Sequence, residues 1–133
     1  MFGLLIADDD LESRKQIADL FIEAGYHVTV TNSVANALYG VLKKTAQVVL
    51  ISSQFDELTA VDLIPLLKHC DRDLTIILIG SEESLPSIRK ARKEGIFYHA
   101  LKPVRPDDGE EIRLAVKCAY ERLIARKHAL AYG

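Results

Sequence analysis

The chain has 133 residues, 49% of them hydrophobic and 27% charged, with a net charge of −2 at pH 7. That length suits one packed domain rather than two. The composition excludes a disordered or fibrous chain, and the slight acidity argues against a dedicated nucleic-acid binder, which carries a basic excess. Cys70 and Cys118 lie far apart, with no CxxC pair and no histidine at ligand spacing, so both read as reduced, partly buried thiols. Met1–Ala7 is apolar but short and runs into three aspartates, unlike a signal peptide. No apolar stretch reaches the length of a bilayer span.

Apolar, β-branched runs alternate with amphipathic segments five times. Phe2–Ala7 reads as a buried strand. A helix over about 11–24 follows, with Ile17, Leu20, Phe21 and Ala24 at helical spacing, Asp10 as its N-cap and Gly25 as its stop. Tyr26–Thr31 alternates as a strand, and Ser33 caps a helix over about 34–44 whose stripe is Ala37, Leu38, Val41 and Leu42. Val48–Ile51 is a continuous apolar strand, closed by the polar turn Ser52–Glu57. The helix over about 59–69 turns Leu63, Leu66 and Leu67 inward. Pro65 falls about one turn inside it, which predicts a late start or a bend.

Thr75–Ile79 is the fourth strand. Pro86 suits the first turn of a helix ending at Gly95. Ile96–Leu101 is the fifth strand, and the last helix opens at Asp107–Asp108, whose charges suit a helix N-terminus, and runs toward Ala129. Its apolar positions Ile112, Val116, Ala119, Leu123 and Leu130 outlast one globule. Residues 1–124 are therefore expected to form the domain, and 125–133 an extension of its last helix. Five fully apolar strands alternating with helices predict an α/β fold, a three-layer, doubly wound, five-stranded parallel sheet.

Ligands of such sheets bind beyond the carboxyl ends of the strands. Those ends deliver Asp8 and Asp9, then Ser52, then Gly80, then Lys102 with Pro103. Adjacent carboxylates on one loop suit a hard cation, and a lysine facing them suits an anion. A flavin- or nucleotide-binding protein of the same architecture is disfavoured, because three aspartates stand where a phosphate cradle needs glycines.

Leu4–Asp10 with Arg14, Gly25-Tyr26-x-Val28, Val48–Ile51, Gly95 and Leu101-Lys102-Pro103, all in register, resemble the receiver domain of two-component response regulators over nearly the whole chain. The resemblance implies the flavodoxin-like strand order 2-1-3-4-5. It implies magnesium held by Asp8, Asp9 and the main-chain carbonyl of Gln54, and Lys102 pairing with a phosphorylated carboxylate across a cis Lys102–Pro103 bond. Gly80 and His99 fall at the switch positions, where the family carries Thr or Ser and Tyr or Phe; Ser81 follows at a small-residue position. The partner implied is a protein, whether a kinase, a phosphorelay component or an output domain. A homodimer through the last strand–helix face or the C-terminal helix is also implied, with no direct nucleic-acid or membrane contact and a cytoplasmic location.

Ser52 stands at the phosphoacceptor position, where the family carries aspartate. A neutral hydroxyl with no adjacent base does not replace a carboxylate as acceptor, and the metal loses a charged ligand, so magnesium binding is expected to be weak or absent. Asp56-Glu57 and Thr59-Ala60 also depart from the family's loop. The expected function is a protein-interaction module that is not an enzyme and works without phosphorylation. The alternatives are a non-standard acceptor such as Asp56, or a small-ligand-binding protein. The basic helix carrying Arg89, Lys90, Arg92 and Lys93, with Arg105 near it, reads as a solvated face or a docking surface for an acidic partner.

Overall fold

The apolar runs form the middle of a parallel sheet because their alternate residues face two separate helical layers. The computed structural model describes residues 2–55, 58–80, 85–103 and 106–132. The elements are β1 (Gly3–Ala7), α1 (Leu11–Glu23), β2 (His27–Thr31), α2 (Val34–Leu42), β3 (Val48–Ser52), the short strands β4 (Gln54–Phe55) and β5 (Leu58–Thr59), and α3 (Ala60–Cys70). They continue with β6 (Thr75–Gly80), α4 (Leu85–Glu94), β7 (Tyr98–Leu101), a 3-10 turn (Pro106–Gly109) and α5 (Glu110–Tyr132). The five long strands are all parallel, in the order β2-β1-β3-β6-β7. This is the expected order once the β4–β5 hairpin is set aside.

Period-2 alternation sorts the core. Leu5, Ala7, Val49, Ile51, Ile76 and Leu78 pack with Ala37 and Val41 of α2 and Leu63, Ile64 and Leu67 of α3. Leu4, Ile6, Val48, Leu50, Ile77 and Ile79 pack on the other face with Ile17 and Phe21 of α1 and Ile112, Val116 and Ala119 of α5. Each buried Val, Leu, Ile or Phe among them contributes roughly 1.5–3 kcal/mol of burial, the alanines less. Cys70 is half-buried, whereas Cys118, expected to be partly covered, is exposed on α5.

Local signals hold at the helix ends. Asp10 accepts from the main-chain N–H of Glu12, and Ser33 from that of Asn36. Gly25 and Gly95 stop α1 and α4 at positive φ. The late start expected from Pro65 does not occur. The Ala60 N–H donates to the Ser53 carbonyl at 2.9 Å, which pins the first turn of α3 to the end of β3. The proline removes only the bond to Val61. The last helix begins at Glu110, after a 3-10 turn that takes up the aspartate pair, and reaches Tyr132 rather than ending near Ala129.

Tyr120 ties α5 to the first strand. Its hydroxyl donates to the Gly3 carbonyl, and its ring packs against Phe2 and Tyr26 at centroid distances of 4.4 and 5.7 Å. Gly3 admits no side chain here, since a Cβ would fall 2.1 Å from the Thr45 carbonyl oxygen. Burial first, and then the neighbouring Tyr26, pushes the Tyr120 phenol well above its usual 10.0. A raised pKa in the folded state means that this stabilisation is complete below pH 10 and declines as pH rises above it. Tyr120→Phe is expected to cost about 0.5–1.5 kcal/mol at neutral pH and to flatten the loss of stability above pH 10. Urea midpoints across pH 7–11 would show both effects; an unchanged alkaline slope would exclude Tyr120 as its source.

Candidate functional site

The carboxyl ends of the strands form one rim. Asp8 directly follows β1, Ser52 closes β3, Gly80 closes β6 and Lys102 directly follows β7. The register makes them neighbours. Ala7 lies opposite Ile51, which sets Asp8 level with Ser52 on strands about 4.8 Å apart. Ser52 lies opposite Ile79 and Gly80 opposite Leu101, while the Lys102 N–H donates to the Gly80 carbonyl at 2.9 Å.

The charges on this rim meet. Lys102 Nζ lies 3.5 Å from Asp8 Oδ1 and 3.9 Å from Asp10 Oδ2. Asp8 is buried at 3% exposure, Ser52 is buried, and the Lys102 side chain is 26% exposed. Three bonds hold the Asp8 loop. Its N–H donates to the Thr31 carbonyl at 3.2 Å, its carbonyl accepts from Arg14 Nη1 at 2.9 Å, and its Oδ1 accepts from the Asp10 N–H at 3.0 Å. Arg14, one turn into α1, thus braces the loop from below. Asp9 stands exposed on the same loop.

Asp10 is the residue that the sequence reading undervalued. It caps α1 with Oδ1 and faces Lys102 with Oδ2. Only the first role shows in local sequence. The expected cis bond is absent: Lys102–Pro103 is trans, the form every X–Pro bond favours by about 0.5–1 kcal/mol. Near the other expected switch residue, β7 is clamped to α5 by Glu111, which accepts from the Leu101 N–H at 2.9 Å and from the Tyr98 hydroxyl at 3.2 Å. The Glu111 charge raises the Tyr98 phenol. His99 on β7 is half-buried, and its Nε2 has no hydrogen-bond partner among the described residues. Gln54 enters through its main chain in β4, paired with Thr59. Asp56, Ser81 and Arg105 lie outside the described residues. Among those described, no group of three or more His, Cys, Asp or Glu side chains is arranged to hold a metal.

The family model of the response regulator receiver domain matches residues 4–114 of this chain. The chain belongs to that receiver family. Among relatives, this receiver is 30% identical over 108 residues to the two-component response regulator ORR3 of Oryza sativa subsp. japonica, covering 79% of this chain and 82% of that protein. It is 25% identical to the DNA-binding transcriptional regulator NtrC of Rhizobium meliloti, over 75% of this chain but 21% of NtrC. Of solved structures, the receiver domain from Clostridium thermocellum superposes with a TM-score of 0.80 at 23% identity, covering 98% of this chain and 99% of that one. The beryllofluoride-activated NtrC4 receiver dimer gives 0.82 at 23% identity, over 92% and 98%. At such identities these structures speak for the fold. As a response regulator receiver, the domain serves phosphorelay signalling, in which receivers interact with kinases and output domains. Among the described residues no helix is long and apolar enough to cross a membrane.

Proposed function

We propose that this receiver no longer accepts a phosphoryl group and acts in phosphorelay signalling as a cytoplasmic protein-interaction module, without catalytic activity. One observation carries the reading: a serine, Ser52, closes the third strand level with the buried Asp8. Its hydroxyl is un-ionised near neutrality, and no acceptor carboxylate stands at that position. Lys102, which would meet the phosphorylated carboxylate, already faces Asp8 and Asp10, so its ammonium is engaged within the rim. Gly80 brings no hydroxyl to follow a phosphoryl group, and His99 replaces the aromatic switch residue.

The oxygen donors fit magnesium, weakly held. Asp8 and Asp9 offer carboxylates. The Ser53–Ala60 bond makes that pair a hydrogen-bonded one, so the adjacent Gln54–Thr59 pair is of the non-bonded kind and Gln54 turns its carbonyl away from the partner strand. A bound ion would neutralise oxygen charge at this rim. Against it stand the missing third carboxylate and the ammonium on Asp8 Oδ1.

Residues 1–124 make up the interacting domain in this reading. Leu123 is the last described side chain of α5 to pack against the core, and residues 125–133, exposed as far as they are described and including Leu130, are an extension. The protein partner is a kinase, a phosphorelay component or an output domain. The exposed Leu101 and Leu114 on the last strand–helix face, or that extension, would seat it or a second copy. Beryllofluoride, named as the activator of the NtrC4 receiver, provides the test. Added to a sample that already contains magnesium, it is expected to change the amide spectrum of this chain no further. Saturable shifts at Ser52, Gly80 and Lys102 would contradict the proposal.

A further inference from the structure

At the opposite edge of the sheet, where β6 and β7 begin, lies a cleft of about 250 Å³ that the signalling rim does not use. Four cations line it: Lys68 on α3, Arg72 in the turn that follows, and Arg122 and Arg126 on α5. Thr75 and Phe97 line it as well, and Asp73 is its single carboxylate among the described residues. None of the four cations makes an ion pair among those residues. Four cations against one lining carboxylate leave the cleft positive in a protein that is acidic as a whole.

The arrangement is also preorganised. Lys68 Nζ donates to the Leu74 carbonyl at 2.7 Å, which fixes the ammonium while leaving donors to spare. The Arg122 guanidinium lies over the Phe97 ring, 5.5 Å from its centroid. Arg122 and Arg126 stand four residues apart on one helix, a like-charged spacing that weakens a helix rather than supporting it. Burial, and then the charge of Arg122, pulls the Lys68 pKa down; Asp71 and Asp73 oppose this, and Arg126 adds to it. An anion in the cleft would relieve every one of these repulsions.

We propose that this cleft binds a compact, multiply charged anion of the phosphate class, such as pyrophosphate or the phosphate tail of a nucleotide. Guanidinium forks match phosphate oxygens two at a time, and here three of them line the cleft together with a lysine point charge. The volume is below that of ordinary drug-sized pockets, which suits a compact anion better than an extended acidic peptide. The site would give the receiver an input independent of the Ser52 rim.

Titration calorimetry of inorganic pyrophosphate into the full chain at low salt tests this, with amide shifts to locate the ligand. The expected result is saturable binding at millimolar affinity or tighter, weakening with salt, with shifts at Leu74 and Phe97. The Arg122→Gln/Arg126→Gln double variant is expected to weaken it at least tenfold and, being relieved of repulsion, to remain folded. Arg89→Gln/Arg92→Gln on α4 removes the same charge elsewhere and should leave the affinity within about twofold. No binding up to about 10 mM pyrophosphate, an equal loss in both double variants, or tighter binding of an oligoglutamate peptide would each overturn the proposal.

Discussion

Ser52→Asp is expected to tighten magnesium binding by about ten- to a hundredfold. A charge-assisted contact is worth roughly 1.5–3 kcal/mol, and each 1.4 kcal/mol is about tenfold in affinity. The register sets the new carboxylate level with Asp8, one strand away, so it would join the oxygen donors without any rearrangement of the sheet. Without metal, the same substitution should lower stability, because a further negative charge then shares a buried rim with Asp8. Magnesium titrations followed by amide shifts near Asp9, together with urea midpoints with and without metal, would measure both. Ser52→Ala should leave magnesium affinity nearly unchanged. A comparable gain with alanine would show that the serine obstructs the site rather than lacking a charge.

Lys102→Met is expected to destabilise the fold by about 1–3 kcal/mol. Asp8 is almost wholly buried with the ammonium at 3.5 Å; removing that partner leaves a desolvated carboxylate that, among the described residues, accepts from the Asp10 N–H alone. Asp8→Asn combined with Lys102→Met should recover much of the loss, since replacing both partners avoids an orphaned charge. A double-mutant cycle of urea midpoints reads the coupling. The same single substitution should strengthen magnesium binding, because the competing cation is gone. If stability were unchanged and the cycle showed no coupling, this pair would not stabilise the rim.

The sheet was legible because each strand is apolar along its whole length, a pattern that demands cover on both faces. Strand order and the family came from the register of short motifs rather than from periodicity. Helix faces were read too widely. In the nine-residue α2, Ala37 and Val41 align, but Leu42 is turned about 140° from Ala37 at about 100° per residue and is 63% exposed. Leu66 lies about 110° off the centre of the α3 face formed by Ala60, Leu63, Ile64 and Leu67 and is likewise exposed, while Ile64 takes the buried place. The β4–β5 hairpin escaped because two-residue strands are shorter than any periodic window.

At the rim, the residue types could be read from strand ends alone, whereas the Asp10–Lys102 approach depends on parts of the chain brought together only by the sheet. The basic cleft was hidden for the same reason. Lys68 and Arg72 look unremarkable beside the denser run Arg89–Lys93, and only packing brings them to Arg122 and Arg126.

The central claim is that this receiver's pocket takes no phosphoryl group, and intact mass after incubation with acetyl phosphate and magnesium tests it most directly. The native chain should keep its mass throughout, while Ser52→Asp, run in parallel, should gain one phosphoryl group in part of the population. A phosphoryl adduct on the native chain, mapped to Asp56 or to any other carboxylate, would contradict the account.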